Sequence, residues 1–308
     1  MNKTKTTPSN LNDFSHTFLL FGAMLGLLAL LGYALMGVAG VIWATVLGAG
    51  FLLFGPQMSP KVLLRFSKAK YLSRQDVPDL YRILDVLAHR ADLPKTPELY
   101  YLPQPLMNAF AMGHADQAVI GVTAGLLRNL DQRELAGVLA HEMSHIRHRD
   151  TRVMGLAAMI NQLTSMFASF GQILLFINLP LMLVGASTIS WFAILLLMTA
   201  PTLNTLLQLA LSRRREFAAD ASAAELTGDP EGLVNALQKL ENQNRGFFSR
   251  VLMPNARIPE ATLLRSHPKT SERVQRLRAL PSYLSSDLSA PVRIPVSSPV
   301  SRPVYILR

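Results

Sequence analysis

His141-Glu142-Met143-Ser144-His145 carries two imidazoles four residues apart, with a carboxylate beside the first. On an α-helix, positions i and i+4 share one face, one turn apart. Two histidines so placed can bind one zinc ion from the same side. Glu142 then stands near the ion's open position, where it can take a proton from water. Chance supplies this pattern in roughly one in a hundred chains of this length. A surface helix that merely carries two histidines is therefore the competing reading, and the flanking residues weaken it. Asp131, three residues ahead of Glu134, reads as the start of a capping box. Leu135, Val138 and Leu139 follow at the spacing of a buried helical face. Arg147, His148 and Arg149 end the run as cations suited to the negative end of a helix.

Working outward, the 308-residue chain is 50% hydrophobic and only 16% charged, the balance of a membrane protein. No charged residue occurs from Phe14 to Pro60 or from Val153 to Ser212. Each stretch is long enough for two passes of about 20 residues. In the first we read helices over 17–36 and 40–54, joined by a tight turn at 37–39. In the second we read helices over 153–178 and 187–211, broken near Pro180 and Gly185. Asn161, Gln162, Gln172, Pro201, Asn204 and Gln208 make this second pair less oily, so it either spans or lies in the interface. Basic residues (Lys3, Lys5, Lys61, Arg65, Arg213, Arg214 and Arg215) flank the apolar stretches, and the loop 179–186 has none. The positive-inside rule then puts both termini and every basic segment in the cytoplasm. The first apolar stretch is too long for a cleaved signal peptide and flows into a second span.

The net charge of +10 raises nucleic acid as a partner, but the basic groups flank spans or lie in the tail. They form no recognition motif, so anionic lipid is the expected partner and nucleic acid is not. Cysteine is absent, which excludes disulfides and thiolate zinc ligands. In the polar part, 77–91 reads as an amphipathic helix with Leu80, Ile83, Leu84 and Leu87 on one side. Segments 99–102, 108–112 and 118–122 read as short strands. Further helices are expected over about 205–226, 230–242 and 271–280, and a Ser/Pro-rich tail follows from 281. The fold class is α+β, mostly helical, with a small sheet and membrane-anchoring helical hairpins.

A catalytic zinc takes three protein ligands and one water, so a third ligand must come from elsewhere. Glu216 is the candidate, with Asp220 one turn further along the same face. The glutamate can bind zinc while the aspartate orients a ligand histidine through its free ring N–H. The competing reading is a solvated acidic pair beside three arginines; small Ala218 and Ala219, which allow close helix packing, favour the metal site. Among the other histidines, His148 reads as a helix-end cation, and His16, His89 and His114 as non-ligands. Asp150 reads as a stabiliser of the turn after the catalytic helix.

These pieces occur in a telling order: Asn108-Ala109-Phe110, Gly125-Leu126-Leu127, the His-Glu motif, Arg215-Glu216 through Asp220, then Ser266-His267-Pro268 with Glu272-Arg273. Together they resemble the HtpX-like membrane zinc metalloproteases, relatives of the CAAX prenyl proteases, over residues 14–280. The resemblance implies a gluzincin-type zinc peptidase domain with one zinc ion held by His141, His145 and Glu216. It implies Glu142 as general base and proton donor, Asp220 behind a ligand histidine, and Asn108 and His267 as residues that face the substrate and hold the oxyanion. From local sequence alone, Asn108 reads as a turn residue and His267 as a loop histidine. The resemblance further implies that 109–112 is an edge strand able to pair with a peptide. The expected organisation is a polar tail 1–15, a hairpin 16–57, a first peptidase part 58–152, a second hairpin 153–212, a second peptidase part 213–280 and a tail 281–308. The expected function is hydrolysis of membrane or misfolded proteins at the cytoplasmic face of a bacterial inner membrane, with protein or peptide substrates. A dedicated processing protease and a non-proteolytic zinc-binding scaffold are the alternatives.

Overall fold

The computed structural model describes residues 8–54, 64, 68–186, 190–251 and 269–280, which fall into two compact units. One unit holds the described residues up to 54 together with Arg152–Arg214; the other holds those up to Thr151 and from Arg215 onward.

The first unit is apolar helix. Helix α1, Pro8–Phe54, is interrupted at Met36 and Gly37, where Gly37 takes φ +60°. Residues eight apart on a straight helix stand about 12 Å apart along its axis. Here a Cβ on Gly40 would lie 1.8 Å from the Gly32 carbonyl oxygen. The chain therefore doubles back at Gly37, as the expected turn requires, and two glycines let the arms touch backbone to backbone. The other long helices are α5, Asp150–Leu183, and α6, Trp191–Thr227. Segments Ser15–Leu47, Asp150–Leu183 and Trp191–Thr227 are the three described helices long and apolar enough to cross a membrane. Met24, Leu28, Ala44, Ala157, Ile160 and Leu211 are buried between them. Phe18, Phe170, Phe176, Leu183 and Phe192 point outward, a surface suited to lipid rather than water.

The expected break at Pro180 does not occur: α5 runs through it to Leu183. A proline removes one backbone donor, and within the last turn there is little helix left to break. The stop is at Gly185 (φ +72°), where Gly185 N–H donates to Met182 O at 3.1 Å and Ala186 N–H to Leu181 O at 2.8 Å. That paired pattern is a Schellman cap. Nor do 187–211 and 205–226 form separate elements; α6 is one helix from Trp191 through the three arginines to Thr227.

The second unit is built on a four-stranded sheet: β1 Lys70–Leu72, β2 Glu98–Leu102, β3 Ala109–Met112 and β4 Val119–Thr123, in the order β1-β2-β4-β3. β2 and β4 pair in parallel, and the outer pairs are antiparallel. Every residue of β4 is buried, whereas β3 is an edge, paired among the described residues on its β4 side alone. Helix α2, Pro78–Arg90, buries Leu80, Ile83, Leu84 and Leu87 as its spacing predicts. The short α3, Ala124–Asn129, is capped by the Thr123 hydroxyl, and α4, Gln132–Arg147, by the Asp131/Glu134 box. Helix α7, Pro230–Val251, approaches α4 so closely that a Cβ on Gly137 would lie 2.8 Å from the Leu233 nitrogen. Helix α8, Thr270–Arg278, buries Arg273, Val274 and Leu277.

Candidate active site

Helix α4 fixes the two motif histidines. Leu135, Val138, Leu139 and Met143 are buried in the core of this unit, which sets the helix's rotation. His141 and Glu142 are buried too, and His145 is partly so. The His141 and His145 Nε2 atoms face each other at 3.2 Å. Glu216, from α6, brings Oε2 to 3.5 Å from His141 Nε2 and Oε1 to 3.7 Å from His145 Nε2. Ligand atoms of these three residues all lie within 4.8 Å of one another.

The outer nitrogen of each ring is held by a carboxylate. Asp220 Oδ1 lies 3.0 Å from His141 Nδ1, and Asp150 Oδ2 lies 2.7 Å from His145 Nδ1. A ring that donates Nδ1–H to a carboxylate presents a bare lone pair at Nε2. Two such lone pairs aimed at each other across 3.2 Å repel unless a proton or cation sits between them. Tetrahedral zinc with ligands at about 2.0–2.1 Å would set them roughly 3.3 Å apart. The donor set thus fits one zinc ion, with His141, His145 and Glu216 as its holders.

Arg273, from α8, has a place in the site that the sequence pattern does not indicate. It is buried, and its guanidinium forks onto Asp220 with Nε–Oδ2 at 2.7 Å and Nη2–Oδ1 at 2.6 Å. Its Nη1 also lies 3.4 Å from Glu216 Oε2. The available signal was positional: Arg273 sits on the same face of α8 as buried Val274 and Leu277, where a solvated cation would not be expected. Burial pushes the His141 imidazole down, but hydrogen bonding to Asp220 and Glu216 outweighs it and raises the pKa to about 9. Burial and the His141 charge push His145 down to about 4.

Asp150 does more than shape a turn. It contacts His145 and also pairs with Arg215. His148 does not fit the reading of a helix-end cation. Burial and the nearby Arg215 and Arg147 charges lower its pKa to about 4, so it is neutral at pH 7. Arg215 takes the capping role instead, donating to the His148 carbonyl at 2.8 Å. Asn108 is exposed at the head of β3, its backbone N–H donating to Thr123 Oγ1 at 2.9 Å. His267 lies outside the described residues.

Two helix-borne histidines, a carboxylate from a second helix and a glutamate beside the first histidine define a metal-dependent hydrolase site as a class. The chain belongs to peptidase family M48, whose profile matches residues 74–281. It is 34% identical over 289 residues to a protease HtpX homolog of Pyrococcus furiosus, covering 86% of this chain and 94% of that one. It is 37% identical over 276 residues to a protease HtpX homolog of Gemmatimonas aurantiaca, covering 85% and 97%. The crystal structure of S. mikatae Ste24p aligns with 87% of this chain at a TM-score of 0.47 and 16% identity, and the chain spans 65% of its length.

Proposed function

We propose that the chain is a zinc-dependent endopeptidase of a bacterial inner membrane that cleaves exposed segments of membrane or misfolded proteins at the cytoplasmic face. The observation that carries this reading is the convergence of His141 Nε2, His145 Nε2 and a Glu216 carboxylate oxygen, with Glu142 next in sequence to the first ligand. Zinc held there would supply Lewis acidity towards water and a peptide carbonyl oxygen. Glu142 takes the proton of the attacking water and delivers it to the leaving amine. Asp220 holds His141 in the tautomer that leaves Nε2 free. Asn108 and His267 donate to the developing oxyanion.

The outer edge of β3, open among the described residues and next to the helix that carries the histidines, receives the substrate as an added strand. Main-chain pairing reads few side chains, which suits quality control better than dedicated processing. In this reading the hairpins 16–57 and 153–212 hold the chain in the bilayer, and 58–152 with 213–280 form the peptidase. Their basic flanks keep it on the cytoplasmic side.

The test is casein hydrolysis by the detergent-purified chain, stripped with chelator and then assayed with and without added zinc. Zinc-restored cleavage by the wild type, with Glu142→Gln binding zinc but turning over at least ~100-fold more slowly, is the expected result. Zinc bound stoichiometrically without cleavage would instead mark a scaffold or a highly selective processing enzyme.

A further inference from the structure

Each ligand histidine is backed by a carboxylate, and each carboxylate by an arginine. His141 is followed outward by Asp220 and Arg273, and His145 by Asp150 and Arg215. The second relay has the more unusual origin. Asp150 is the first residue of α5, and Arg215 lies on α6, the third of the arginines that follow the stretch without charge. These two residues therefore bracket the second apolar hairpin in the sequence, and they meet in an ion pair behind a ligand histidine. Neither is solvated: the side-chain exposures are 5% for Asp150, 17% for Arg215 and 18% for His145. Arg215 also donates to the His148 carbonyl at 2.8 Å, so one guanidinium fixes both Asp150 and the end of the helix that carries His145.

We propose that Asp150, locked by Arg215, is the positioning residue for His145. It orients the ring through Nδ1 and raises the metal affinity of Nε2, and the ion pair with Arg215 keeps it there. The proposal rests on the zinc-site reading. Asp150 Oδ2, accepting Nδ1–H at 2.7 Å, fixes the tautomer, because the remaining nitrogen is then the lone-pair donor. A free carboxylate beside the ring would wander among rotamers. The planar guanidinium, held at a second point by a backbone carbonyl, removes that freedom. Both contacts run through Nη2, and a lysine ammonium ends one bond short of that position, so it cannot reach both acceptors from the same backbone site.

A purely structural role is the rival explanation, since an acidic residue in the first turn of α5 already favours that helix. The two are separated by measuring the metal rather than turnover. Asp150→Asn and Arg215→Lys are purified in detergent and stripped. Each is titrated with zinc against a competing chelator, and the absorption spectrum of the cobalt(II) form is recorded.

The positioning role predicts zinc affinity about 10–100-fold weaker in Asp150→Asn, a smaller loss in Arg215→Lys, and an altered cobalt spectrum in both. Asp150→Glu, which keeps the acceptor, should recover part of the affinity. A lowered unfolding temperature with wild-type zinc affinity and an unchanged cobalt spectrum would overturn the proposal. If Asp150→Asn does not fold, Arg215→Lys decides on the same terms, and zinc affinity equal to wild type in that variant would overturn it. A wild type that binds no zinc would remove the metal site itself, a failure distinct from wild-type binding by the variants.

Discussion

Arg273 is a buried cation whose partners are Asp220, directly, and Glu216 at the edge of contact. Deleting one member of a buried ion pair leaves the other charge uncompensated, at a cost of about 3–5 kcal/mol. Arg273→Met should therefore destabilise the chelated protein by several kcal/mol in denaturant titrations, far more than Arg276→Met, whose exposed cation lies over the Phe217 ring. Equal effects would mean that the fork onto Asp220 carries little. The histidines give a pH test with a definite sign. His141 has an ordinary value of 6.5 and a folded value of about 9 without metal, so its proton contributes stability that is complete below 6.5 and lost as pH rises through 9. Ligation needs the neutral ring. Between those limits the unfolding temperature of the chelated protein should fall while the increment added by zinc grows. A zinc increment flat across this window would contradict the assignment. What local sequence held of the site was the part written on two helical turns: His141, Glu142 and His145 on one helix, Glu216 and Asp220 on another. Arg273 lies 53 residues beyond Asp220, and no local pattern says which carboxylate a buried arginine will meet.

At the level of elements, caps and periodicity were legible and context was not. The Asp131–Glu134 box forms on both sides, with Glu134 N–H donating to Asp131 Oδ1 and Asp131 N–H to Glu134 Oε2, each at 2.9 Å. Asp131→Ala should cost about 1 kcal/mol, read as a drop of roughly 2–4 °C in unfolding temperature. The three expected strands are present to within a residue at each end, because alternation and flanking turn residues are local signals. β1 is not legible in the sequence: three residues hold too little pattern, and its place is fixed by Leu72↔Leu99 pairing far along the chain. Continuity of α6 is hidden for the opposite reason, since a charged run normally closes a span and here the helix continues through it. The glycine contact in α1 supplies another test. Gly40→Val would drive side-chain atoms into Gly32, costing about 1–3 kcal/mol or the hairpin itself. Gly22→Ala, with open space around it, should be neutral to mildly stabilising in the same thermal assay, since alanine favours helix over glycine.

For the molecule as a whole, the strand addition proposed for β3 has a consequence for selection among substrates. The outer side of β3, unpaired among the described residues, offers backbone hydrogen bonds to any chain that arrives extended, but a segment already folded has spent those groups on its own partners. The discriminating quantity then belongs to the substrate: the free energy of freeing a short stretch of its backbone. When that opening is fast relative to cleavage, each 1.4 kcal/mol of local destabilisation should raise cleavage about tenfold, whatever residues flank the bond. A set of variants of one model membrane protein, graded in stability but identical around the cut, would test this. Cleavage that followed the graded stability would make the protease a thermometer of its neighbours' folding. Cleavage indifferent to it would make the flanking sequence the signal.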